Sequence, residues 1–366
     1  MKINSLNIYN FRNIKNTSLE FHSKINCFYG NNASGKTNLL EAIYYSTHLK
    51  SFKDIKISKL INIESDVFAL LMKTYSADND RECVNEIKLK YSKSAKSLKA
   101  NCNHQKIEKV SSIVRQYPIL FLYPELIKLI DLGPSQRRKF LDFGVFHVEH
   151  SDNYSVLIKK LNYIVKNRNT LLKKKSKTNQ FDYWNEVFID VCGEINRVRL
   201  RYIEILSKVF GEISKSLQLS DNIILEYYPG WNIKGGSFEE QLYQNHKRDL
   251  INGYSSIGSH RADLRIKDDS NAIDQTYSRG QKKMFLLCLM FSHLKLLENK
   301  SPILIIDDVR SELDKKNIKI IFDLIKNKFN NSQIFITDVD ESVVSEIEEG
   351  DYSMFHVEHG KIIKKL

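Results

Sequence analysis

The stretch FYGNNASGKTNLLEAIYYSTH, residues 28–48, decides the fold. It begins at the end of an apolar strand pattern, INCFY, and runs into an apolar helical one. Between them Gly30, Asn31, Asn32, Ala33, Ser34, Gly35, Lys36 and Thr37 follow the spacing G-x-x-x-x-G-K-T. The two glycines let the backbone turn tightly with its N–H groups facing inward, as phosphate oxygens require. The helix that starts near Lys36 adds the positive end of its dipole. Lys36 suits the β- and γ-phosphates of a nucleoside triphosphate, and the Thr37 hydroxyl suits Mg²⁺. Strand before and helix after is the context that separates this motif from a chance match.

A second segment answers it. SPILIIDDV, residues 301–309, reads as a buried strand with two acids at its end. Asp307 is placed to hold Mg²⁺, and Asp308 to polarise an attacking water as a catalytic base beside Lys36. A third segment, YSRGQKKMFLLCLMFSHL, begins at Tyr277. Ser278, Arg279, Gly280 and Gln281 open an apolar helix and make a second phosphate-binding surface. One site has no use for two γ-phosphate clamps. Two copies arranged head to tail do, each closing the other's site, so the expected cofactors are ATP and Mg²⁺ and the expected assembly is an ATP-dependent homodimer. N-K-x-D is absent, so guanine specificity is not indicated.

Composition sets the surroundings. The chain has 366 residues, 42% hydrophobic and 27% charged, and a net charge of +12. That balance points to a polyanionic partner, nucleic acid first, with simple solubility as the alternative. No apolar run approaches the ~20 residues of a membrane helix. The N-terminus alternates like a strand rather than a signal peptide, which predicts a cytoplasmic protein with no membrane partner. Five scattered cysteines with no C-x-x-C support neither a zinc site nor a disulfide framework. The string FHVEH occurs at 146–150 and again at 355–359. His147 with His150 resembles a ligand spacing, but no third ligand accompanies the pair, and the repeat reads as chance.

Along the chain the pattern is α/β, then helical, then α/β. Residues 1–118 read as strands and turns with one helix after the glycine loop. From about 135 to 250 helical stripes take over: Leu157, Leu161, Ile164 and Leu172, then Phe188, Val191, Ile195, Tyr202, Ile213 and Leu217. From 299 two buried strands flank a helix, and two short strands around Gly360 close the chain. The predicted division is lobe I at 1–118 with 299–366, and a mostly helical lobe II at 119–298 that carries the signature. There is no room for a long coiled coil. Four basic segments are candidates to face DNA: SKSAKSLK, SQRRKF, NRNTLLKKKSK and NRVRLRY.

This combination resembles the ABC-type P-loop ATPase heads of SMC-like repair proteins, and within them the RecF family. The segments NFRN, GNNASGKTNLLEAIY, PELIKLIDLGPSQRRKFLDFGVFH, GSHRADLRI, SRGQ and LIIDDVRSELD carry the likeness nearly end to end. The resemblance implies that Arg12 and Asn13 sit beside the nucleotide. It implies that Ser278–Gln281 act across the dimer, and that SELD is the D-loop, with Ser311 and Asp314. It implies a recombination mediator with weak, DNA-stimulated ATPase activity. Such a mediator dimerises with ATP on single- or double-stranded DNA and junctions, and works with RecR and RecO to load recombinase at gaps or stalled forks. Departures are Ala33 where the family often has glycine, Ser259 in place of a proline, Arg279 in place of the signature's middle glycine, and Thr337 where transporter ATPases carry a switch histidine. Gln116 is a candidate for the Q-loop. A transporter ATPase, an ATP-coupled nuclease and a non-hydrolysing DNA clamp are the rival readings.

Overall fold

The structure is a computed structural model that describes residues 2–53, 55–78, 81–148, 152–269, 271–347 and 350–365. The chain divides into two compact units, 1–125 with 283–366, and 126–282.

In the first unit, β1 (Lys2–Phe11), β2 (Ile14–Glu20), β4 (Val67–Asp78), β5 (Arg81–Ser92), β6 (Ser97–Cys102) and β7 (Gln105–Lys106) form an antiparallel sheet in the order β2-β1-β4-β5-β6-β7. Alternation drives it: Ile3, Leu6, Ile8, Phe68, Leu70, Met72, Ile87 and Leu89 are all buried. The second sheet begins with β3 (Ile25–Tyr29), followed by the loop and α1 (Lys36–His48). After α2 (Val110–Gln116), β8 (Ile119–Leu122) joins the same sheet. Gln333, fully buried, ties the two sheets: it accepts from Ile3 N–H and donates to the Ile3 and His22 carbonyls.

The second unit contains α3 (Lys128–Asp131), α4 (Pro134–Val148), α5 (Asp152–Lys173) and α6 (Asp182–Ser216). It also holds β9 (Ile223–Tyr228), α7 (Phe238–Gln244), α8 (His246–Asn252), β10 (Asp263–Asp268), β11 (Asn271–Ala272) and α9 (Ile273–Thr276). The stripe expected between 184 and 217 is one 35-residue helix. Its buried face is Phe188, Val191, Cys192, Ile195, Arg199, Tyr202, Leu206, Phe210 and Ile213, while Ile205 is exposed. The helical reading from 135 to 250 missed β9, which pairs antiparallel with β10, as β10 does with β11.

The arginines of SQRRKF do not form an open basic face. Arg137 makes a bidentate ion pair with Asp263 at 2.7 and 2.9 Å, and Arg138 donates to the Ala262 carbonyl. Within NRVRLRY, Arg199 is buried and donates to Asp142, Tyr154 Oη and the Ser259 carbonyl. Arg168 is likewise buried, held by Asn185 and Ser255. Such charges persist in an interior because every one is paired or hydrogen-bonded. These contacts give the RRKFLD and SHRADL segments a structural role.

The chain returns to the first unit inside α10 (Arg279–Leu296), a helix buried nearly all round from Met284 to Leu294. Then follow β12 (Ile303–Ile306), α11 (Lys315–Lys328), β13 (Gln333–Asp338), β14 (Tyr352–Glu358) and β15 (Lys361–Lys365). The sheet order is β15-β14-β3-β13-β12-β8, with β14, β3, β13, β12 and β8 parallel and β15 antiparallel at the edge. The boundaries therefore differ from those expected at 118 and 299. Strand β8 pairs residue for residue with β12, so it belongs to the first unit, as does α10 from Lys283 onward. Among the described residues no helix is long and apolar enough to cross a membrane.

Candidate active site

The loop lies at the C-terminal ends of the parallel strands, where α/β sheets place their ligands. Gly30 adopts φ 147°, and a side-chain carbon there would come within 2.2 Å of the Val357 carbonyl oxygen. Gly35 caps α1 at φ 117°, and a Cβ there would strike the Asn13 amide. Ala33 sits at φ 64°, the left-handed region, which explains why glycine suits this position. Gly30→Ala is expected to cost about 1–3 kcal/mol through overpacking and backbone strain, read as a lowered melting temperature.

Asn13 braces the loop from outside. Its amide donates to the Ser34 carbonyl at 3.2 Å and accepts from Asn38 at 2.9 Å. Lys36 is buried, and its ammonium donates to the Gly30 and Asn31 carbonyls at 2.5 and 2.9 Å. Burial lowers its pKa, while Asp308, Asp307 and Asp338 pull it back up. The Ser34 hydroxyl is buried and without a hydrogen-bond partner among the described residues. An unpaired donor on a glycine loop at a helix N-terminus suits an anionic oxygen.

One of the two acids, Asp307, meets the loop directly. Thr37 Oγ1 donates to Asp307 at 2.8 Å, and Thr337 Oγ1 donates to the other Asp307 oxygen at 2.6 Å. The two hard oxygen donors, Thr37 and Asp307, fit Mg²⁺, which takes one or two protein oxygens and completes its shell with phosphates and water. Among the described residues no group of three or more His, Cys, Asp or Glu is placed to hold a metal. His147 lies buried in α4, and His150 falls outside the described residues.

Asp308 is pinned on both sides. Its N–H donates to Thr337 Oγ1 at 2.7 Å, and its backbone is left-handed at φ 56°. Desolvation raises its pKa, with Asp338 and Asp307 adding to the rise and Lys283 and Lys36 opposing it. Asp338, just past Thr337, is nearly buried and holds Arg310 in a bidentate pair at 2.7 and 2.9 Å.

Other expected residues have structural occupations. Arg12 forms a bidentate pair with Glu41 at 2.9 and 3.2 Å and donates to the Lys59 carbonyl, so its fork is committed to α1. Ser278 and Gln281 form a capping box at the start of α10. The Ser278 N–H donates to Gln281 Oε1 at 2.8 Å, and the Gln281 N–H donates to the Ser278 hydroxyl at 3.3 Å. Ser278, Arg279 and Gln281 are exposed, and Gly280 is half-buried. Asp314 N-caps α11 by accepting from Asn317 N–H, and Ser311 closes a turn onto the Asp308 carbonyl. Gln116 precedes the N-terminal end of β8, while the acids follow the C-terminal end of its parallel neighbour β12. It stands at the wrong end of the sheet for a Q-loop. Sequence reasoning missed Glu41, Lys283 and the Arg310–Asp338 pair, whose partners are distant in the chain.

Comparison with known proteins gives the family and the fold. The family model for the RecF/RecN/SMC N terminal domain matches residues 2–363. A relative from Colwellia psychrerythraea named DNA replication and repair protein RecF is 31% identical, over 99% of this chain and 98% of its own. One of the same name from Pseudoalteromonas translucida is 32% identical over the full length of both chains. A solved structure of the recombination mediator protein RecF with ATP, of the RecFOR pathway, aligns with TM-score 0.83 at 29% identity over 100% of this chain and 98% of that one. An Smc head bound to part of ScpA shares the fold at TM-score 0.61 and 17% identity. The chain belongs to the RecF family, within the RecF/RecN/SMC group, and has the ABC-type ATPase head fold.

Proposed function

We propose that this chain is an ATP-dependent, DNA-binding recombination mediator. The observation that carries the reading is the junction at Asp307, which joins the loop threonine Thr37 to Thr337 and stands beside the pinned Asp308. Lys36, the loop amides and the Ser34 hydroxyl bind the phosphates, with Asn13 holding the loop. Thr37 and Asp307 would hold Mg²⁺, which supplies charge neutralisation between the β- and γ-phosphates when bound. Asp308 takes the proton from the attacking water. Arg12 bears on the nucleotide only through the helix it braces.

The RecF-with-ATP structure supports ATP as the ligand, and the relatives' name supports work in DNA replication and repair. ATP then acts as the glue of a head-to-tail dimer, and slow hydrolysis releases dimer and DNA together. RecR and RecO are the partners that membership of the family supports, and loading of recombinase at gaps is the outcome. Lys93 and Lys96 in the β5–β6 turn and Lys99 on β6 are exposed, as are Lys173 at the end of α5, Lys174, Lys175 and Lys177 after it, and Arg197 and Arg201 on α6. With the exposed Lys139 of SQRRKF, they are the exposed cations that the four basic segments offer to phosphates once the buried arginines are set aside. Binding should be backbone-dominated and steeply salt-dependent. Phosphate release with and without DNA separates this reading from a non-hydrolysing clamp: a DNA-stimulated rate is expected, and no release under either condition overturns it.

Because Ser278 also caps α10, the test of a site built between two chains must preserve the cap. Ser278→Asp keeps an N-cap acceptor, so stability should change by less than about 0.5 kcal/mol. It places a negative charge where the opposing nucleotide must fit. ATP binding by the monomer should persist and the ATP-driven dimer should be lost. Mixing this variant with Lys36→Arg allows one mixed dimer with one intact site, and partial recovery of turnover is expected. Loss of monomer ATP binding in Ser278→Asp would place the signature in cis.

A further inference from the structure

Asp308 and the turn after it are held by a group outside the loop, the two-acid strand end and the signature. Lys283 lies on α10, between the capping box and the buried stretch that starts at Met284. Its ammonium donates to the Asp308 carbonyl at 2.7 Å and to the Ser311 carbonyl at 2.6 Å. The Ser311 N–H also closes onto the Asp308 carbonyl, at 3.2 Å. Val309 N–H donates to the Thr337 carbonyl at 3.0 Å, and Asp308 N–H to the Thr337 hydroxyl. The segment is thus fastened from β13 on one side and from α10 on the other.

A left-handed non-glycine residue persists only where its surroundings over-determine it. Asp308 at φ 56° is such a residue, and its two backbone groups are taken by Thr337 and Lys283. A charge-assisted bond to a carbonyl is about twice as strong as a neutral one. The ammonium also faces the carboxylates of Asp308, Glu312, Asp338 and Asp307. A lysine that merely filled space would not converge its donors on two carbonyls three residues apart in the one turn that carries the reacting acid.

We infer that Lys283 is a positioning residue for ATP hydrolysis: it holds the Asp308–Ser311 turn so that the Asp308 carboxylate keeps its aim, and it fastens the D-loop to the helix that the signature opens. The inference rests on the ATPase reading above, but half of its test does not. Lys283→Met keeps length and bulk and removes the donors; Lys283→Arg keeps the charge and restores donors. In Lys283→Met, amide hydrogen exchange over Asp308–Leu313 should rise by about tenfold or more while α11 stays as protected as in the parent. The kcat should fall by about 10- to 100-fold, the cost of a misplaced reacting group. KM for ATP should stay within about threefold, since the loop is untouched. Lys283→Arg should recover most of both. Unchanged exchange over Asp308–Leu313 overturns the inference. So does a general rise that includes α11, or a change confined to KM, because each marks a merely structural role. If the parent itself hydrolyses no ATP, the ATPase reading fails, and the exchange result still decides whether Lys283 holds the turn.

Discussion

Asp308→Asn is expected to cut ATP turnover by about 100-fold or more while ATP binding and ATP-driven dimerisation persist. The amide keeps the size of the carboxylate and can still orient a water, but it cannot accept the proton. Nothing that holds the backbone changes: Thr337 still accepts from the residue 308 N–H, and Lys283 still donates to its carbonyl. Burial raises the pKa of the parent carboxyl, with Lys283 and Lys36 opposing the rise. Asp307→Asn should behave differently. Asp307 accepts from both Thr37 and Thr337, so losing its charge should weaken Mg²⁺-dependent ATP binding itself. Single-turnover phosphate release and equilibrium ATP binding measured side by side separate the two. Turnover near the parent's in Asp308→Asn would mean that another group positions the water.

Arg12→Ala is expected to destabilise the fold by about 3–5 kcal/mol, an effect that has nothing to do with nucleotide. Glu41 is fully buried in α1, and its carboxylate is satisfied by the Arg12 fork and the Ser51 hydroxyl. Removing the arginine leaves a buried charge without its counterion. Glu41→Gln in the same background should return much of the loss, because the amide removes the orphaned charge. Urea unfolding of the parent, the single variant and the double variant measures this. A stability loss below about 1 kcal/mol in Arg12→Ala would mean that the pair is solvated. Loss of ATP binding in the double variant at recovered stability would restore a direct role for Arg12 at the nucleotide.

The site's centre was legible because its signals are local. The loop is eight consecutive residues, and the acids end a strand that is apolar throughout, so pattern and chemistry coincide. What was not legible depends on partners far along the chain. SQRRKF reads as a surface for phosphates until Asp263 arrives from β10 to take Arg137. NRVRLRY reads the same way, yet Arg199 is on the buried face of α6 with Asp142 and Tyr154 around it. The β9–β10 sheet was hidden because its two short strands are separated by two helices, so neither shows the turn signal of a hairpin. The unit boundary was misplaced for a related reason. Whether a buried strand such as ILFL belongs to the unit before or after it depends on which strand it pairs with, and periodicity carries no such information. Ser278 illustrates a further limit: a serine and a glutamine three apart serve equally as a helix cap and as a phosphate clamp.

The central claim is that ATP joins two copies of this chain and that DNA is held by the joined form. Its most direct test is the mass of the protein in solution with Mg²⁺, measured without nucleotide, with ATP, and with ATP plus a gapped duplex. The account predicts a monomer without nucleotide, a dimer with ATP, and a dimer that retains the duplex at low salt and releases it as salt rises. Lys36→Arg should stay monomeric throughout. A protein whose mass is the same under all three conditions, or a Lys36→Arg variant that dimerises with ATP as the parent does, would contradict the account.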